Sequence, residues 1–115
     1  MSDQPHTAAA ALFQILSHQG RLRILDELRK EEACVCHLQT VLGRPQAYVS
    51  QQLRVLRDKN LVRDRREGTL VYYRLADARL ERLLDDALGP PGERVCVDNC
   101  PCPHCQEAEG PGVEG

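Results

Sequence analysis

Two stretches with helical hydrophobic spacing are joined through only Gly43 and Arg44, and this short connection constrains the chain more than any other feature. Before it, Val35, Leu38, Val41 and Leu42 recur at the period of an amphipathic helix; after it, Val49, Leu53 and Leu56 do the same. Gly43 is a good helix stop, and Arg44 forms a short turn. Pro45 can open the next helix, because its missing N–H costs nothing in the first turn. Helices over about residues 34–43 and 45–60, joined this tightly, read as a helix-turn-helix.

The flanking segments complete the plan. Thr7 can cap a helix over residues 8–17, with Leu12, Ile15 and Leu16 on its apolar face. Gly20 breaks the pattern. A second helix over 21–30 then carries Leu22, Ile24, Leu25 and Leu28. After residue 60 the period changes. Residues 61–65 and 69–75 are rich in β-branched and aromatic types, and Arg66-Glu67-Gly68 between them reads as a hairpin turn. A last helix over 77–88 bears Leu80, Leu83, Leu84, Ala87 and Leu88, and Gly89-Pro90-Pro91-Gly92 ends it. The expected fold is mainly α with one β-hairpin (α+β). It divides into an arm (1–7), a folded domain (8–89) and a Cys- and Pro-rich tail (90–115) whose acidic, Gly-rich end is expected to be disordered. The 115 residues suffice for one domain. Trp is absent and Phe13 is the only Phe, so the core must be built from Leu, Ile, Val and Ala.

The formal net charge of −2 argues against nucleic acid, but its distribution argues for it. Residues 44–74 hold eight Lys/Arg against three acids, whereas residues 75–115 hold three Arg against nine acids. Basic charge confined to one block is the footprint of a DNA-contacting face. In a helix-turn-helix the second helix enters the major groove and its N-terminal residues meet base edges. Those residues here are Gln46, Tyr48, Ser50, Gln51 and Gln52. Gln can pair with adenine through two hydrogen bonds, and Ser can reach several bases or a phosphate. Arg54 and Arg57 follow one to two turns later and suit phosphates. Arg63, Arg65 and Arg66 surround the hairpin tip and suit an adjacent groove or the backbone.

No apolar run approaches the roughly 20 residues of a membrane span, and residues 1–7 lack a basic start followed by an apolar stretch. A cytoplasmic protein without a membrane partner is expected. In a reducing compartment, six cysteines point to metal binding or thiol redox chemistry rather than to a disulfide framework. Cys34 and Cys36 form one pair; Cys96, Cys100, Cys102 and Cys105 crowd into the tail, with His104 among them. Thiolates select soft ions such as Zn(II), Cd(II), Pb(II), Hg(II) or As(III). Residues two apart on a helix point about 200° apart. Cys34 and Cys36 can therefore grip one ion only if the first turn is loosened or lies just before the helix. Pro101 and Pro103 keep the tail out of a helix. Its sulfurs can either fold back to complete the Cys34/Cys36 site, in the same subunit or a partner, or form a separate site.

Together these segments resemble the ArsR/SmtB family of metal-sensing repressors. Arg21-Leu22-Arg23-Ile24-Leu25-Asp26-Glu27-Leu28 resembles its second helix, with Gly20 where Pro is common. Ala33-Cys34-Val35-Cys36-His37-Leu38 resembles the CVC signature of its arsenic-, cadmium- and lead-sensing members, with His37 where an acid is usual. Val49-Ser50-Gln51-Gln52-Leu53-Arg54-Val55-Leu56 resembles the recognition helix, in which His often replaces Gln52. Leu61-Val62-Arg63 and residues 67–75 resemble the wing. The resemblance implies a winged-helix homodimer paired through its first and last helices, with repression of operator DNA relieved by the ligand. The family's other common site, Asp and His on the last helix, does not carry over, because that helix has Asp77, Asp85 and Asp86 but no His.

The expected function is thus an operator-binding repressor released by a soft metal or metalloid, with no organic cofactor and no small organic substrate. One rival keeps the repressor and replaces the metal with a disulfide or polysulfide bridge. Another, a metal chaperone or storage protein, explains the cysteines but leaves the basic block without a role. An enzyme is not expected: there is no Gly-rich phosphate loop, paired carboxylate site or nucleophile elbow, and Cys102-x2-Cys105 lies in a Pro-rich tail.

Overall fold

Left-handed Gly43 (φ 67°) closes one helix, and the next begins at Gln46, which realises the tight connection. A computed structural model describes residues 5–93. Its elements run α1 (Pro5–Leu16), α2 (Gln19–Lys30), β1 (Ala33–Cys34), α3 (Val35–Leu42), α4 (Gln46–Asp58), β2 (Val62–Glu67), β3 (Leu70–Leu75) and α5 (Ala78–Leu88). The strands form an antiparallel sheet in the order β1-β3-β2. The fold is a helix-turn-helix followed by a β-hairpin wing.

Several boundaries differ from expectation, each for a local reason. Thr7 lies inside α1, which starts at Pro5, so it is not a cap. α2 starts before Arg21 because the His18 ring accepts a hydrogen bond from the Arg21 N–H (3.2 Å), which fixes the helix entry. Pro45 is the extended residue before α4 rather than part of its first turn. α4 ends at Asp58: Asn60 adopts φ 62°, and the Leu61 N–H reaches back to the Leu56 carbonyl (2.9 Å). That is the hydrogen-bond pattern with which a left-handed residue ends a helix. β2 runs on through Arg66 and Glu67, so the hairpin turns at Gly68 (φ 65°) and Thr69. Strand β1 was not anticipated; its two residues pair Ala33 with Tyr73 and Cys34 with Tyr72.

The core is aliphatic, as the composition requires. Ile24, Leu25, Leu28, Leu38, Val49, Leu53, Leu56, Val62, Leu80 and Leu84 are buried in one cluster that α1 reaches through Leu16. Burial of each such side chain contributes about 1.5–3 kcal/mol. Leu38 and Leu42 of α3 and Val49 and Leu53 of α4 belong to this cluster, which seats α3 against α4. Buried Arg29 ties α2 to α5, donating to Asp26 and Asp85 (2.7 Å each) and to the Gly89 carbonyl (2.7 Å). No helix among the described residues is long and apolar enough to cross a membrane.

Candidate functional site

α4 divides by helical phase. Val49, Gln52, Leu53 and Leu56 are buried, whereas Gln46, Ser50, Gln51, Arg54 and Arg57 are exposed. At about 100° per residue the exposed set spans roughly 140° of one side. Gln52 needs a correction. Its Oε1 accepts a hydrogen bond from the Arg21 Nε (3.0 Å), while the Arg21 Nη1 donates to the Ile15 carbonyl (3.1 Å). Gln52 is thus an internal tie among α1, α2 and α4, turned away from the exposed stripe.

Tyr48 is also turned inward, though only half-buried. Its hydroxyl occupies the space a Cβ at Gly20 would need, and the Arg44 guanidinium lies over its ring, 4.6 Å from the centroid. Gly20 thereby makes room for Tyr48, and Arg44 gains a fixed position beside the start of α4. On the wing, Arg63, Arg65 and Arg66 are exposed. Arg57 reaches Asp64 at 3.4 Å, linking the end of α4 to β2. Arg65 is engaged within the protein by Glu32 (2.7 Å) and Glu67 (2.9 Å), and its guanidinium stacks on Tyr72, 4.8 Å from the ring centroid. These carboxylates raise its pKa further still.

The second candidate site lies at the start of α3. Cys34 is the residue before the helix, with extended backbone (φ −89°, ψ 168°), and Cys36 lies in the first turn. The 200° divergence therefore does not apply, because Cys34 is outside the helix. Cys34 is a buried thiol and Cys36 a half-buried one, and both pack in a small cluster with Tyr72, Val41 and Leu70. Soft, polarisable donors in an apolar pocket suit a thiophilic ion. Among the described residues, however, no group of three His, Cys, Asp or Glu could hold a metal. Cys96, Cys100, Cys102 and Cys105, and His104, lie outside the described residues.

His37, beside Cys36, is buried and directed elsewhere: its Nε2 donates to the Glu27 Oε1 (3.2 Å). The Lys30 Nζ donates to the other Glu27 oxygen (2.8 Å). The hydrogen bond from His37, with help from Lys30, holds the Glu27 carboxyl below its ordinary range despite burial. This triad joins α2 to α3. Sequence reasoning missed it, and it also missed Glu32 and Tyr72. Only the alternation along β3 hinted that Tyr72 faces inward.

Comparison with known proteins agrees with this architecture. A profile of the family described as "Bacterial regulatory protein, arsR family" matches residues 18–64. The chain is similar to a "Transcriptional repressor SmtB homolog" of Synechocystis, 42% identical over 74 residues, spanning 64% of this chain and 56% of that protein. It is also similar to the "Arsenical resistance operon repressor" of Escherichia coli, 39% identical over 90 residues, spanning 73% of this chain and 75% of that one. The match thus covers little more than half of the first relative and three quarters of the second. Among solved structures, it is similar to a homodimeric winged helix-turn-helix DNA-binding domain of Mycobacterium bovis, described as a possible ArsR-family regulator, with TM-score 0.62, 34% identity and coverage of 76% and 86%. The chain belongs to the ArsR/SmtB family of winged-helix bacterial regulatory proteins.

Proposed function

We propose that this protein is a homodimeric, cytoplasmic, non-enzymatic transcriptional repressor that binds operator DNA and releases it when its thiolates coordinate a soft metal or metalloid. The observation that carries this reading is the position of Cys34, extended and just ahead of α3, with Cys36 in the first turn of the same helix. α3 shares a core with α4, the base-reading helix. A sensor at the foot of α3 therefore acts on the support of α4.

DNA contact falls to Gln46, Ser50 and Gln51 at base edges and to Arg54, Arg57, Arg63 and Arg66 at phosphates. Arg44 joins them as an exposed cation at the turn. Two copies would present their α4 helices about one DNA turn apart, roughly 34 Å. Pairing through α1 and α5 is supported by Phe13 and Leu88, which are large apolar residues left exposed on those helices. A groove of about 550 Å³ between the same helices, lined by Leu12, Ile15, Leu80 and Leu83, adds to that support.

Cys34 and Cys36 would supply two thiolates, and the tail Cys96, Cys100, Cys102 or Cys105 the others. Those sulfurs can come from the same subunit or from a partner. When bound, the ion supplies strong, soft coordination that competes with local packing. Coordination by both sulfurs would pull on the pairing of β1 with β3 and on the first turn of α3, parting the one or opening the other. Either change favours a conformer whose α4 helices no longer match the operator, and a preference of several kcal/mol suffices.

Fluorescence anisotropy on operator DNA tests the switch. Affinity should fall at least tenfold with As(III), Cd(II), Pb(II) or Zn(II), and Cys34→Ser and Cys36→Ser should abolish the response. Unchanged affinity with every ion rejects it. A thiol-redox signal at the same pair is the second reading. It is favoured by two sulfurs in one cluster with no third ligand among the described residues. Mass spectrometry after oxidant or persulfide treatment separates the two.

A further inference from the structure

Three side chains line up across the sheet. The strand register sets Arg65 of β2 opposite Tyr72 of β3, and Tyr72 opposite Cys34 of β1. Tyr72 is buried against Cys34, with its ring also under the Arg65 guanidinium. Glu32, two residues before Cys34, closes the loop by accepting hydrogen bonds from the Arg65 Nη2 (2.7 Å) and Nε (3.4 Å).

We propose that Glu32, Arg65 and Tyr72 are positioning residues forming a strut that couples the Cys34/Cys36 pair to the wing. This rests on reading that pair as the sensor. The physical argument concerns what must move together. β1 is held to β3 by only two residue pairs, so displacing the Cys34 sulfur displaces both β1 and the preceding Glu32. Arg65 then loses Glu32 and keeps only Glu67 of its own strand, while Tyr72 loses its packing neighbour. The guanidinium fixed by both is released, and with it the set of the wing that carries Arg63 and Arg66. Arg65 thereby leaves the group of expected DNA contacts. Its side chain is exposed but bonded to Glu32 and Glu67 and stacked on Tyr72, and each of these contacts competes with a phosphate.

Coupling is reciprocal, so loosening the strut from the wing side must expose the sensor. The test alkylates the full-length protein with iodoacetamide and follows the Cys34 peptide by mass spectrometry. Arg65→Gln and the milder Glu32→Gln should each speed Cys34 alkylation about fivefold, since a modest loss of local stability multiplies the open population. Their melting midpoints should stay within a few degrees of wild type, which separates local opening from global unfolding. On a duplex selected by the wild-type protein from a random-sequence pool, both variants should bind about fivefold more weakly than wild type without metal, because their wing is already released. Their loss of affinity on adding Cd(II) should shrink about fivefold. Unchanged alkylation in both variants overturns the strut. So does an Arg65→Gln protein that loses affinity equally with and without Cd(II) and whose salt dependence falls by about one phosphate contact, for Arg65 would then be a backbone contact. If wild-type DNA binding ignores Cd(II), the metal switch fails. The alkylation rates then still decide the strut, faster upholding it and unchanged overturning it.

Discussion

Gln51 and Gln52 are chemically identical neighbours with different partners, because one step along a helix turns the side chain by about 100°. Gln51 faces outward; Gln52 holds Arg21. Gln52→Ala should therefore cost about 1 kcal/mol of stability, the net worth of one internal hydrogen bond, measurable by urea unfolding. Gln51→Ala should leave stability alone and weaken operator binding by about 1–3 kcal/mol in a sequence-dependent way. Glu27 gives a pH prediction. Its carboxyl titrates below its ordinary value of 4.5 in the folded state, chiefly through the hydrogen bond from His37. The stabilisation is thus complete above the unfolded-state pKa and is lost as pH falls through the folded one. Glu27→Gln should cost about 2 kcal/mol near neutrality, the scale of a hydrogen bond to a charged group. It should also flatten the decline in stability below about pH 4.5, read by unfolding at pH 6 and pH 3.

At the scale of elements, ends are set by single backbone conformations. Gly43 has φ 67°, and a Cβ there would meet no neighbour within 4 Å, so the cost of a side chain is conformational alone. Gly43→Ala should destabilise by about 1 kcal/mol, and Gly43→Asn by less, because Asn tolerates the left-handed region. Thermal melts of the two variants make that comparison. Gly20 poses the opposite problem: its backbone is helical, but the Tyr48 hydroxyl fills the place of a Cβ. In Gly20→Ala a better helix former is offset by the displaced Tyr48, and Arg44, stacked on that ring, loses its fixed position.

At the scale of the whole molecule, the basic block and the aliphatic core face different tasks. α4 and the wing carry exposed Arg54, Arg57, Arg63 and Arg66, whereas α1 and α5 leave Phe13 and Leu88 uncovered. Phe13→Glu should place a charge in the proposed dimer contact and give a monomer by sedimentation velocity. Operator affinity should then fall about a hundredfold through lost bivalency. A dimer that persists in Phe13→Glu at micromolar concentration would move the contact away from α1.

The sequence by itself determined the order of every element but β1, the helix-turn-helix, the hairpin and the thiol pair, because these follow from local periodicity, turn chemistry and residue type. The exposure of the candidate contact residues Ser50, Gln51 and Arg54 was legible in the same way, since helix phase is a local property. Tertiary structure decided the rest. β1 exists only because β3 lies beside it, and the partner of inward-facing Gln52 is set by Arg21 of another helix. Arg65 lies over Tyr72 because the sheet register sets them opposite. A side chain with two possible partners is committed by long-range packing, and that packing leaves no periodic trace along the chain.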